Sequence, residues 1–216
     1  MGNDIQTLVS DAQRFYARLA ANNTRDWWND NRTTYDDRLK PGALALLDEL
    51  ITPLTELVAT PVKPKLFRPH RDVRFSKDKT PYNAHLHMMW QIQSDAPQNP
   101  VFFFGIGTDY VSAGAGLMGF EKPMLTNWRE MLDLDTKRML GVLEGLEKSG
   151  FEFREPALKR VPSPYDKDHP AAHFLRMKGI VGSRPVPADA PLVPTLSDTF
   201  AALWPLNALL ISIAEA

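Results

Sequence analysis

The hydrophobic period of this chain changes twice, and those two changes restrict it to a fold in which helices precede and follow an antiparallel sheet along the chain. Ile5, Leu8, Ala12, Phe15 and Leu19 recur at spacings of 3, 4, 3 and 4, one stripe of an amphipathic helix over 5–20. Asn22-Asn-Thr-Arg stops it. Thr24 is placed to cap a second helix running to Lys40, with Asp26 in the first turn, where the helix dipole favours an anion. Pro41 ends that helix and opens a third carrying Leu44, Leu47, Ile51, Leu54 and Leu57, with a break or kink expected at Pro53.

From Pro61 the pattern is extended. Strands are expected at about 61–67, 84–93, 101–107 and 110–117, with Gly107-Thr-Asp as a hairpin turn. Helices return at 123–133 and 135–149. A short strand is expected at 151–153, a two-turn helix after Pro170, and a last strand at 178–182. A proline-rich connector follows over 186–194, then a helical segment over 196–214, broken at Pro205. Runs of helices, hairpins and helices predict an α+β fold, a mainly antiparallel sheet packed with N-terminal and C-terminal helices, rather than a doubly wound one. With 216 residues the chain fits a single domain, 1–216, in which 186–216 form a C-terminal arm and helix.

Several classes fall away on composition. The chain has no cysteine, so disulfides, thiolate metal sites and a cysteine nucleophile are out. The stretch from Met1 has neither a basic flank nor an apolar core, and no secretory leader is expected. The longest uncharged run, Thr199 to Ala214, is shorter than the ~20 residues of a membrane span. A cytoplasmic protein without a membrane partner is expected.

Charge is unevenly placed. Residues 63–85 carry seven Lys/Arg against two Asp, and 154–184 carry seven against three acids. These balances of +5 and +4 leave −10 for the rest of a chain whose net charge is −1. Two basic segments on an acidic body predict one electropositive cleft assembled from both.

The densest stretch is Arg71-Asp-Val-Arg-Phe-Ser-Lys-Asp-Lys-Thr-Pro-Tyr82, with four cations, two carboxylates and three hydroxyls in twelve residues. Guanidinium forks and lysines suit phosphate or carboxylate, so Arg71, Arg74, Ser76, Lys77, Lys79 and the nearby His85 are candidate ligand-binding residues. The competing reading is a solvated loop with local Arg–Asp pairs. Tyr165-Asp-Lys-Asp-His-Pro170, followed by Arg176, supplies the second set. There Lys167 and Arg176 are candidate binding residues beside a helix start, with simple capping by Asp168 or His169 as the alternative. For catalysis, histidine is the side chain that changes charge near neutral pH, so His169 is the acid/base candidate. Asp166 would orient it and Tyr82 would donate to a developing charge.

His85 and His87 share a strand face, and His169 and His173 are spaced as a helical metal pair. Pro170 puts His169 ahead of the helix and the surrounding cations repel a metal, so no metal is expected. Gly114-Ala-Gly-Leu-Met-Gly119 matches a dinucleotide fingerprint but lacks the helix that must open on its third glycine. Small residues letting strands approach are the better reading, and no cofactor is expected. Trp28, Asn31 and Tyr35 fall on one helical face; polar-tipped aromatic core contacts are the better reading, with a tryptophan clamp for a planar ligand beside Arg25 as the alternative. Phe102-Phe-Phe104 reads as sheet core.

Together these motifs resemble an uncharacterised family, domain of unknown function 2461. The resemblance rests on Asn-Asn-x-Arg-Asp-Trp-Trp-x-x-Asn-Arg-x-x-Tyr over 22–35 and on Arg-Phe-Ser-Lys-Asp-Lys-Thr-Pro-Tyr over 74–82 with His85. The glycine-rich 114–119 with Glu121 and Pro123, and Tyr-Asp-Lys-Asp-His-Pro over 165–170, complete it. It covers about 12–185 and implies a shared fold and a shared site; it names no reaction. The expected partner is a small anionic ligand, phosphorylated or carboxylated, with an enzymatic role left open. Nucleic acid comes second, because the overall charge is near zero and aromatic residues do not interleave with the cations. A third reading is an interaction module whose apolar C-terminal segment docks on a partner or on the protein itself.

Overall fold

The computed structural model describes residues 2–215, with side chains from Ile5 onward; Met1, at the head of the stretch read above as lacking a leader, and Ala216 lie outside the described residues. Helix α1 spans Gly2–Ala21. Helix α2 (Arg25–Thr34) is capped by Thr24, whose side chain accepts from the Trp27 N–H. The second helix does not run regularly to Lys40. A π-helical turn, Tyr35–Leu39, joins α2 to α3 (Lys40–Glu49) without a break. That wide turn immediately precedes Pro41, whose ring would meet the carbonyl four residues back in a regular helix. The break or kink expected at Pro53 falls instead at Leu50, with Pro53 in the first turn of α4 (Ile51–Val58), which ends on Ala59 in the left-handed region at φ 57°.

The sheet follows. Strands β1 (Val62–Leu66), β2 (Leu86–Ile92), β3 (Val101–Ile106) and β4 (Val111–Leu117) form antiparallel neighbours. Helices α5 (Lys122–Leu134) and α6 (Thr136–Lys148) intervene. Then β5 (Glu152–Phe153), the single-turn α7 (Ala172–Leu175) and β6 (Ile180–Pro185) lead to α8 (Leu192–Ala214). The six strands lie in the order β1-β2-β3-β4-β6-β5, all antiparallel. The protein is α+β, as its pattern predicts. The helix after Pro170 is one turn rather than two.

Alternation sorts the strands into two faces. Leu86, Met88, Trp90 and Ile92 on β2, Phe102, Phe104 and Ile106 on β3, and Ala113 and Ala115 on β4 are buried. They face α3, α4 and α8; Trp90 Nε1 donates to the Leu47 carbonyl at 3.0 Å and its ring packs on Phe200. Helices α1 and α2 pack outside α3, and α5 and α6 outside α8. The other face of the sheet is an open groove, to whose lining α1 contributes Gln13.

Helix α8 is not broken at Pro205. Leu203, Leu206, Leu209 and Leu210, on both sides of the proline, are almost wholly buried, and that packing outweighs the one backbone bond proline removes. Its 23 residues are long and apolar enough to cross a bilayer, but half of the most apolar window is buried against this fold, as in a core helix. The apolar C-terminal segment therefore docks on its own sheet. Gly116 explains the glycine-rich stretch. It sits at φ 130°, and a Cβ there would come 2.1 Å from the Ile180 carbonyl oxygen on β6.

Candidate functional site

The open face is lined by the side chains that alternate with the core. In strand order they include Phe67, His87 and Met89, Val101 and Phe103, Ser112, and Val181 and Ser183. They enclose a groove of about 720 Å³, within the range that holds small-molecule ligands. Its depth comes from glycines. Rings on neighbouring positions lie across them: a Cβ on Gly114 would meet Phe103 Cζ at 2.3 Å, one on Gly107 would meet Tyr110 Cε1 at 2.1 Å, and one on Gly105 would meet His87 Cδ2 at 2.9 Å. With side chains at these positions the rings would have to stand up into the groove.

The floor is apolar and one end is polar. Tyr110 Oη and His87 Nε2 are 2.6 Å apart, and the His85 ring stacks on His87 with centroids 3.7 Å apart. Burial, then the neighbouring His85, pushes His87 down to about 4. Burial, then Arg71, lowers His85. Burial, then Asp109, raises Tyr110. This end is therefore a set of neutral hydrogen-bonding groups near pH 7, with the Arg71 guanidinium beside it. Elsewhere Arg154 and Arg184 line the groove with Asp109 and Glu152. Arg184 is engaged, donating to Thr199 Oγ1 at 2.7 Å and lying over Phe151; Arg154 makes no ion pair among the described residues.

The run from Arg71 to Tyr82 is a stapled loop at that same end of the sheet. Arg71 Nη1 donates to Asp78 Oδ2 at 2.6 Å and to Thr80 Oγ1. Arg74 forks onto Asp72 at 2.6 and 2.9 Å. Lys79 Nζ donates to the Val73 carbonyl at 2.9 Å. The Thr80 N–H, then Arg71, holds the Asp78 carboxyl down at about 2. Lys77 is exposed and Ser76 is half-buried, its N–H donating to the Val73 carbonyl at 3.3 Å. The base of the loop is clamped. Asn23 donates to the Tyr82 carbonyl at 2.9 Å and accepts from its N–H at 3.2 Å, while the Tyr82 ring stacks on Trp28 at 4.5 Å. Tyr82 is thus buried in the clamp. The two longest motifs of the sequence are halves of one device.

The middle of the second basic segment lies elsewhere, although Arg154 and Arg184 at its two ends line the groove. Arg71–Tyr82 leaves the sheet where Leu86, Ile106 and Val111 pair, whereas 165–178 enters it at Ile180, opposite Leu117, at the other end of the strands. The structure does not bring Arg71, Arg74, Lys77 and Lys79 together with Lys167, His169 and Arg176 in one cleft. His169 Nδ1 accepts from the Ala171 N–H at 3.0 Å, leaving its proton on Nε2, 3.3 Å from Asp133 Oδ1. Asp166 accepts from the Asp168 N–H at 2.8 Å in a local turn, Arg176 donates to the Ala172 carbonyl, and Lys167 is exposed beside Asp168. No group of three or more metal-ligating side chains occurs among the described residues.

Sequence reasoning did not single out Tyr110 or Arg154, and its reading of Phe102-Phe-Phe104 as sheet core fails at Phe103, which lies half-buried on the open face. The signal for Phe103 was present: three consecutive phenylalanines on a strand must place one opposite the other two. Tyr110 needed the register of the β3–β4 hairpin.

This is an α+β domain built on an antiparallel sheet with one buried face and one open, grooved face. The chain belongs to the DUF2461 family, described as a conserved hypothetical protein, whose signature covers residues 11–210 and so takes in α8. No curated protein matches it.

Proposed function

We propose that this protein binds a small organic anion in the groove on the open face of its sheet. The ligand's apolar body lies on Met89, Val101, Phe103 and Val181. Its carboxylate or phosphate meets His87 and Tyr110, with His85 and the Arg71 guanidinium behind them, next to the groove rather than in its lining. The observation that carries this reading is a cavity of about 720 Å³ with an apolar floor and one concentrated polar end. Of the binding residues expected from sequence, Arg71 and His85 stand at this end; Tyr82 holds the loop that positions Arg71. Neutral imidazoles suit the task, because they donate or accept without the desolvation penalty of a second buried charge.

Calorimetric titration with phenyl phosphate, benzoate and longer alkyl phosphates and carboxylates tests it. Binding is expected for at least one, with Tyr110→Phe weakening it about ten-fold, the scale of one lost hydrogen bond to a charged group. Ser183→Trp, which fills the groove from β6, should abolish it. A ligand that binds Ser183→Trp as tightly as the parent would place the site elsewhere.

A further inference from the structure

Phe75 is 97 % exposed at the tip of the stapled loop, and Phe67, where β1 ends, is 41 % exposed. Each has a cation over its ring: Arg74 at 6.0 Å from the Phe75 centroid and Lys65 at 4.9 Å from that of Phe67. The loop does not hide its phenylalanine. The Asp72–Arg74 and Asp78–Arg71 pairs and the Lys79 bond to Val73 close the loop on itself, and the Asn23–Tyr82 clamp fixes its base.

Those pairs use both carboxylates of the segment. Lys63, Lys65, Arg68, Lys77 and Lys79 then have no ion pair among the described residues, and Lys63, Lys65, Arg68 and Lys77 are exposed along the β1 edge and the loop that continues it. The balance over 63–79 is +5, leaving −6 for the rest of a chain of net charge −1, so the molecule is polarised toward this edge. Aromatic and cationic side chains therefore alternate on the surface, although the two phenylalanines stand eight residues apart in the chain.

We propose that the β1 edge and the 67–79 loop bind single-stranded nucleic acid, with bases stacking on Phe67 and Phe75 and phosphates held by Lys63, Lys65, Arg68 and Lys77. Flat exposed rings interleaved with point charges fit a polymer that alternates planar bases with phosphates. Duplex is disfavoured, since its bases are already stacked on one another and leave no free faces for Phe67 and Phe75. An anionic membrane would meet the loop tip but leave Phe67, on the sheet, without a role. This surface borders the ligand groove and shares Phe67 with its rim, whereas Phe75, Lys63, Lys65, Arg68 and Lys77 stand outside the groove lining.

Fluorescence anisotropy of the full chain with labelled dT12 and rU12 at rising salt tests the proposal. Binding should weaken with salt at a slope of about −0.7 per phosphate contacted. Phe75→Ala should weaken it roughly ten-fold at an unchanged slope, since stacking carries no counterion. Arg68→Ala with Lys77→Ala should flatten the slope by about 1.4. None of these exposed side chains holds the fold, so circular dichroism should be unaltered. The proposal is overturned if neither oligonucleotide binds at about 100 μM in low salt, if heparin or a 12-base-pair duplex competes as well as dT12, or if Phe75→Ala binds as the parent does. It is equally overturned if phosphatidylserine vesicles bind in its place with the same dependence on Phe75.

Discussion

Burial and His85 push the His87 imidazole down to about 4, against about 6.5 for an exposed histidine. An unfolded chain therefore takes up a proton near pH 6.5 that the folded one resists until about pH 4. The stability at stake is present in full above pH 6.5 and is lost as pH falls through that window. His85, lowered by burial and by Arg71, titrates in the same direction. Urea midpoints should accordingly fall between pH 6.5 and 4.5. His87→Gln should remove part of that slope and His85→Gln/His87→Gln most of the rest. An equal slope in the double variant would assign it to other groups. Asp78, held at about 2, acts in a lower window, from about 4 downward, and does not confuse the reading. The shared face of His85 and His87 is legible in the sequence because strand alternation is strict. Their partner Tyr110 is not, because it depends on which residues the hairpin sets opposite each other.

Elements show the same division. The N-cap at Thr24, a break near Pro53 and every strand were legible, since capping chemistry, proline sterics and period-2 alternation act locally. The π turn before Pro41 was not, because proline sterics mark an obstruction without fixing whether the helix stops or widens, and the unbroken helix through Pro205 was not, because burial of the α8 leucines overrules the local preference. Two predictions belong here. Asn23→Ala removes both side-chain bonds to the Tyr82 backbone and should cost about 1–3 kcal/mol, lowering Tm by about 2–4 °C for each kcal/mol. Hydrogen exchange should quicken over 71–82 and stay unchanged in α8; protection lost evenly across the protein would mean the clamp is not local. A chain ending at Pro194 lacks most of α8, which supplies Leu196, Phe200, Leu203, Leu206 and Leu210 to the core. It should fail to give a cooperative unfolding transition, rather than fold with an altered oligomeric mass.

At the scale of the whole molecule, composition disclosed two basic segments but not their separation. Charge counts along a chain carry no information about which end of a strand each segment meets; strand register decides that. Strand β2 has seven residues, so the ends of the sheet stand about 20 Å apart at 3.3 Å per residue. At physiological salt exposed charges are screened over about 8 Å. Lys167 and Arg176 should therefore scarcely influence an anion held beside Arg71 and His85. Lys167→Glu is expected to change the affinity for a groove ligand less than two-fold, while His85→Ala weakens it about ten-fold. Combining the two should give the product of the single effects, as for sites too distant to couple. A Lys167→Glu effect as large as that of His85→Ala, or a combined effect far from the product, would mean that the two basic segments meet in solution across a path the strand register does not provide.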